Sequence, residues 1–149
     1  MRQINEAGMN LIKSFESFSS KPYLDAAGNP TIGYGTRFYP NQVMVKITDS
    51  PTDINNALLM LDSALNKIVV PQVDMFITAN VNSNVFSACC CLAYNIGIGA
   101  FKTSSVLKYT NEMDLINGAL SFALWNEAKG VILPGLIRRR AAETVLYLS

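Results

Sequence analysis

The 149-residue sequence contains no histidine. That removes the usual proton shuttle at neutral pH, the Ser-His-Asp triad and the commonest zinc ligand. Acid–base chemistry therefore falls to carboxylates, tyrosine or lysine. Charge is also sparse: 15% of residues, with 12 Lys and Arg against 11 Asp and Glu, for a net charge of +1. Such a balance makes no strong electrostatic claim on nucleic acid or an anionic membrane. Cysteine is confined to one adjacent trio, Cys89-Cys90-Cys91. Without spaced pairs there is neither a zinc knuckle nor a disulfide framework. Buried, unpaired thiols are expected, which fits synthesis in a reducing cytoplasm. The apolar run from Val85 to Ala93 falls far short of the roughly 20 residues of a membrane span. The first residues, Met1 to Glu6, lack the apolar core of a signal peptide.

Half of the residues are hydrophobic, which suits one packed domain. Ile4, Met9, Leu11, Ile12, Phe15 and Phe18 recur at helical spacing, so a helix is expected over about 4–18, ended by Lys21-Pro22. Residues 22–48 are punctuated by Gly28-Asn29-Pro30, Gly33, Gly35 and Tyr39-Pro40-Asn41. The β-favouring pieces Thr31 to Tyr34 and Val43 to Ile47 predict a small antiparallel sheet. Asp49 or Ser50 can cap a helix with Pro51 near its start, running to just before Pro71. At about 18 residues it would span about 27 Å, enough to join two lobes. The second half reads as all helix. Asn82 or Ser83 caps a very apolar segment closed by Gly97, and shorter helices follow at Ser104 to Tyr109, Asp114 to Trp125 and Pro134 to Leu148. The class is α+β.

Two carboxylates stand out near the start. Glu16 follows Phe15, and Asp25 comes nine positions later. Thr31 comes six after that and opens Thr31-Ile32-Gly33-Tyr34-Gly35-Thr36. A pair of carboxylates flanking a glycosidic bond can hydrolyse it, one giving a proton and the other activating water. Apolar neighbours favour the protonated form of a carboxyl, as a general acid requires. Taken singly, however, Glu16 suits a solvated helix face, Asp25 a turn and Thr31 a strand. The glycines of Gly33-Tyr34-Gly35 do not form a phosphate loop; in a strand they mark a tight bend or a close approach. Tyr34 suits either stacking on a sugar face or the lobe's own core. Arg138-Arg139-Arg140 reads as a solvated face or as a source of one arginine for an acid. Successive helical residues point about 100° apart, so at most one or two can face the same way.

Three motifs together resemble the phage-type lysozymes of glycoside hydrolase family 24. They are Glu16, Asp25 and Thr31 at separations of nine and six; Thr31-Ile32-Gly33-Tyr34-Gly35; and a C-terminal series. That series comprises Tyr94-Asn95-Ile96-Gly97-Ile98-Gly99-Ala100-Phe101, Trp125-Asn126 and Leu133-Pro134-Gly135-Leu136-Ile137-Arg138-Arg139-Arg140. The resemblance implies a lysozyme-like fold in one domain. A β-containing lobe at about 20–50 would be joined by a helix at about 51–69 to a helical lobe at about 70–149 that includes the N-terminal helix. A cleft would lie between the lobes. It implies an inverting muramidase acting on peptidoglycan, with no metal or cofactor. Glu16 would be the general acid, Asp25 the carboxylate on the water side and Thr31 the water-positioning hydroxyl. Asn95 and Tyr34 are substrate-binding candidates.

Further expectations are a monomer, no nucleic-acid partner and no stable membrane insertion. The protein would be held in the host cytoplasm until a holin gives access to the wall, and would serve cell lysis. Thr36 departs from the histidine common after Gly-Tyr-Gly. Two alternatives stand beside hydrolysis: a lytic transglycosylase on the same bond, and a non-catalytic wall-binding or virion module.

Overall fold

The computed structural model describes residues 1–25 and 27–149. They form two compact units, one of residues 13–68 and the other of residues 1–12 with 69–149. The class is α+β, with small antiparallel sheets among a majority of helix. Among the described residues no helix is long and apolar enough to cross a membrane.

The unit of residues 13–68 holds the last turn of helix α1 (Glu6–Glu16), strands β1 (Ser19–Leu24) and β2 (Pro30–Gly33), and helix α2 (Ile54–Ala64). The two strands pair antiparallel, with Tyr23 opposite Thr31 and Leu24 opposite Pro30. Strand β1 differs from the sequence expectation, which ended the N-terminal helix at Lys21-Pro22. Pro22 is accommodated because the register slips between Ser19 and Tyr23, a break in the ladder where a missing N–H is tolerated. Val43 to Ile47, expected as a strand, makes an isolated bridge of Met44 with Phe38, in which Tyr39 N–H donates to Val43 O and Val45 N–H to Arg37 O, both at 2.9 Å. Val43, Met44 and Ile47 are exposed, and Val45 alone turns inward to pack with Ile32 and Met60. At Gly33 a side chain would sit 2.9 Å from Ala57 Cβ, so β2 lies directly on α2.

The α2 helix starts three residues later than expected. Its cap is Asp53, whose side chain accepts from the Asn56 N–H, and Thr52 N–H is held by Ser20 O at 2.7 Å. Nor does the helical path stop before Pro71. It widens into a π-helical turn, Leu65–Val69, and continues as α3 (Val70–Phe76). Pro71 then falls in the first turn of α3, where a proline needs no hydrogen bond.

The other unit is built around α4 (Ser83–Ile96), in which every residue from Val85 to Ala93 is buried. Asn82 caps it through the N–H groups of Asn84 and Val85, and Gly97 closes it at φ 89°. Against it pack α3, α5 (Ile98–Lys102) and α8 (Pro134–Tyr147). Helices α6 (Ser105–Asn111) and α7 (Leu115–Ser121) follow α5, and a 3-10 turn spans Phe122–Trp125. The segment before α8 is a short hairpin of β3 (Glu127–Ala128) and β4 (Val131–Ile132), not helix or loop. Lys129 and Gly130 both take positive φ, the geometry of a two-residue hairpin turn.

The three cysteines are free and fully buried. Burial pushes the Cys89 thiol up to about 12, and those of Cys90 and Cys91 up as well.

The arginine run is not a solvated face. Arg139 and Arg140 are 4% and 2% exposed, around a Glu143 that is fully buried. Arg139 Nε donates to Glu143 Oε1 at 3.1 Å, and Arg140 Nη2 to the same oxygen at 2.8 Å. Arg140 Nε lies 2.8 Å from Oε2, and Nη1 donates to Trp125 O at 3.3 Å. Glu143 thus lies four residues beyond Arg139 and three beyond Arg140 on the same helix. Burial pushes the Glu143 pKa up, and the guanidiniums of Arg140 and Arg139 oppose that shift. Arg138 alone of the three is exposed.

Removing one member of such a cluster strands buried charge. Glu143→Ala is expected to lower unfolding stability by about 3–5 kcal/mol, measured by urea denaturation. A loss below about 1 kcal/mol would show that the guanidiniums reach water or other partners without it.

Candidate active site

Glu16 is the last residue of α1. Ser17 takes φ 55° and ends the helix there, so the carboxyl stands at a helix terminus and not on a solvated face. Its neighbour is the glycine turn. A side chain on Gly35 would meet Glu16 Oε2 at 2.8 Å and Cδ at 3.4 Å. The carboxyl therefore rests against bare backbone, and φ +80° at Gly35 independently favours glycine. The turn is clamped by Ile32 N–H to Thr36 O, Thr36 N–H to Ile32 O, and Thr36 Oγ1 to Ile32 O at 2.9 Å. Thr36 is 1% exposed, so this departure from the common histidine serves the turn.

Asp25 follows β1 and is partly exposed. Its Oδ1 accepts from Ala27 N–H at 2.9 Å and Asn29 N–H at 2.8 Å. The Asn29 amide contacts both carboxylate oxygens at 3.3 Å. These bonds, led by the Asn29 N–H, hold the carboxyl below its ordinary pKa, against some opposing desolvation and with help from the Arg37 charge. Thr31 lies on β2 and is buried. Its hydroxyl donates to Asn29 O at 3.0 Å. Arg37 Nη2 in turn donates to Asn29 Oδ1 at 2.8 Å.

Glu16 and Asp25 share an electrostatic neighbour. The Tyr23 phenol is raised first by burial, then by the negative charges of Glu16 and Asp25. Tyr23 stands opposite Thr31 in the strand pair. The structure thus gathers Glu16, Asp25 and Thr31 around one hairpin of one unit.

Other candidates fall elsewhere. Tyr34 is 9% exposed, with its ring 5.8 Å from that of Phe18. Asn95 is half-buried in the last turn of α4, in the other unit. Sequence reasoning missed Tyr23, Asn29 and Arg37. A signal existed for Asn29: an Asp followed three residues later by Gly-Asn-Pro is turn chemistry, and turn asparagines bond to nearby backbone. Among the described residues no group of His, Cys, Asp or Glu could hold a metal ion.

Comparison with known proteins bears on this arrangement. A family profile described as Phage lysozyme matches residues 13–143. The endolysin of Bacillus phage PZA is 37% identical over 151 residues, covering 99% of this chain and 55% of the relative. The chain thus spans about half the length of that relative. Among solved structures, the endolysin of Escherichia coli O157:H7 phage FAHEc1 superposes with a TM-score of 0.87 at 33% identity, covering 99% of this chain and 94% of that one. The muramidase domain of SpmX from Asticaccaulis excentricus gives 0.87 at 31%, covering 100% and 99%. A match from residue 13 to residue 143 includes both carboxylates, the glycine turn and the buried arginine cluster, and by it the chain belongs to the phage lysozyme family.

Proposed function

We propose that this chain is an N-acetylmuramidase. It would hydrolyse the β-1,4 bond between N-acetylmuramic acid and N-acetylglucosamine in peptidoglycan, with inversion, in host-cell lysis by a bacteriophage. The observation that carries the reading is the pair of carboxylates beside one hairpin, Glu16 at the end of α1 against the Gly35 backbone and Asp25 in the loop after β1. The endolysin and muramidase relatives support it.

In this reading Glu16 gives its proton to the leaving glycosidic oxygen. A water attacks the anomeric carbon from the opposite face and loses a proton to the Asp25 carboxylate, oriented also by Thr31. Inversion needs room for that water between sugar and carboxylate. The depressed Asp25 pKa favours an ionised base at neutral pH. Tyr34 and Asn95 are the sugar-contacting candidates. The protein acts as a monomer and waits in the host cytoplasm until a holin opens the way to the wall. Hydrolysis and transglycosylation differ by one water in the product, so mass spectrometry of released fragments separates them.

Glu16→Gln is expected to lower turbidity clearing of permeabilised Gram-negative cells by at least about 100-fold, the scale of losing a general acid. Full activity in this variant would remove Glu16 from the role. Gly35→Ala tests the seat of the acid. Its methyl displaces the carboxylate, and a fall of about 100-fold is expected, the scale of a 1 Å misplacement. Circular dichroism would verify that the variant is folded. Wild-type rates in folded Gly35→Ala would mean that the contact has no catalytic consequence.

A further inference from the structure

We infer that Asn29 is a positioning residue that joins the Asp25 carboxylate and the Thr31 hydroxyl into one water-holding unit, each presenting an acceptor. The inference rests on the muramidase reading above.

Every polar group of Asn29 is engaged. The peptide N–H and the side-chain amide donate to Asp25. The carbonyl accepts from Asp25 N–H at 3.0 Å and from the Thr31 hydroxyl at 3.0 Å. The side-chain oxygen accepts from Arg37. Two consequences follow from the direction of these bonds. Asp25 Oδ1 takes two backbone N–H groups. Among the described residues Oδ2 takes only the 3.3 Å amide contact, so Oδ2 is the oxygen with lone pairs to offer. The Thr31 proton is committed to a carbonyl, which cannot donate in return, so Thr31 Oγ1 meets a water only as acceptor.

A water between two acceptors gives both of its protons to them. Its own lone pairs then face away, toward the sugar. In the inverting step the water oxygen bonds to the anomeric carbon as the glycosidic C–O bond breaks. One water proton goes to Asp25 Oδ2, and the Glu16 proton goes to the leaving oxygen. If Asn29 did not accept from Thr31, the hydroxyl could donate to the water and occupy the lone pair needed for attack. Asn29 touches neither sugar nor water in this scheme; it acts through Asp25 and Thr31.

Among the described residues, the charged and titratable groups that act with Asp25 are Arg37 and Tyr23, and Tyr23 in turn feels Glu16. Arg37 lowers the Asp25 pKa and braces the Asn29 side chain. Losing the Asn29 amide removes donors to the ionised carboxylate and frees Arg37, and both changes raise the Asp25 pKa. Because activity needs that carboxylate ionised, the acid limb of the pH–rate profile moves to higher pH.

The test is steady-state kinetics on purified peptidoglycan with wild type, Asn29→Ala, Asn29→Asp and Arg37→Met, alongside Glu16→Gln. Asn29→Ala is expected to lower kcat about tenfold or more, within the range of positioning effects, with KM within about twofold, and to move the acid limb upward. Asn29→Asp, which swaps a donor for a second carboxylate, should move the limb further. Arg37→Met keeps the amide and should move the limb with a smaller loss of kcat. Since a turn variant can also loosen the fold, Arg37→Met supplies a second reading of the same limb. Thermal melts set a temperature at which each variant is folded. An unchanged kcat and acid limb in Asn29→Ala, or a loss confined to KM, would overturn the inference. Undiminished activity in Glu16→Gln would instead overturn the muramidase reading, whatever the Asn29 variants do.

Discussion

The proposed chemistry depends on one steric constraint: the Glu16 carboxyl lies where a side chain on Gly35 would have to be. That contact ties the acid to the turn between Ile32 and Thr36, because the turn fixes where Gly35 sits. The turn is tied in turn to the core, since Ile32 is fully buried with Val45 and Met60. On the adjoining side, Gly33 lets the strand touch Ala57 of α2. The two glycines of one short motif thus perform separate tasks, one seating the strand on a helix and the other admitting the acid. A rigid backing of this kind limits how far a catalytic carboxyl can drift, which matters because proton transfer is sensitive to sub-ångström placement.

The Asp25 side of the hairpin is built by the opposite device. Where Glu16 is seated by a missing side chain, Asp25 is seated by the side chain and peptide group of Asn29, whose polar groups are all engaged. Asn29 fills a loop that would otherwise hold Asp25 only through backbone N–H groups, and Arg37 holds Asn29 in place. Donors draw Asp25 toward the ionised state, and the Glu16 carboxyl lies against the backbone of Gly35.

Much of this was legible in the sequence because it rests on short-range rules. Glycines inside a β-favouring run signalled a close approach, and Gly35 makes one. Asn82 and Gly97 marked the ends of α4, and Pro134 marked the start of α8. What escaped reading depended on long-range context. Strand β1 carries Ser19, Ser20, Lys21 and Pro22, a composition that argues against a strand, and it forms through pairing with β2. Val43 to Ile47 has the right residues for a strand but only one inward position. Pro71 looked like a stop because the π-helical turn that makes room for it has no sequence signature. The arginine run leaves a solvated face and a bond to an acid both open in the sequence, because no local signal marks Glu143, at helical spacing from Arg139 and Arg140, as buried. Asn29 was hidden because turn asparagines are common, and nothing local distinguishes one that also binds across to Thr31.

The three adjacent cysteines carry a consequence for the protein's chemistry toward oxidants. A thiol reacts through its thiolate, and burial holds the Cys89 pKa at about 12 and raises those of its neighbours. Their side chains contact protein groups, Cys89 near Thr110 and Cys91 on the Gly8 carbonyl, and none is exposed. Burial therefore disfavours the thiolate at all three positions, and the fold holds them as free thiols without calling on a disulfide.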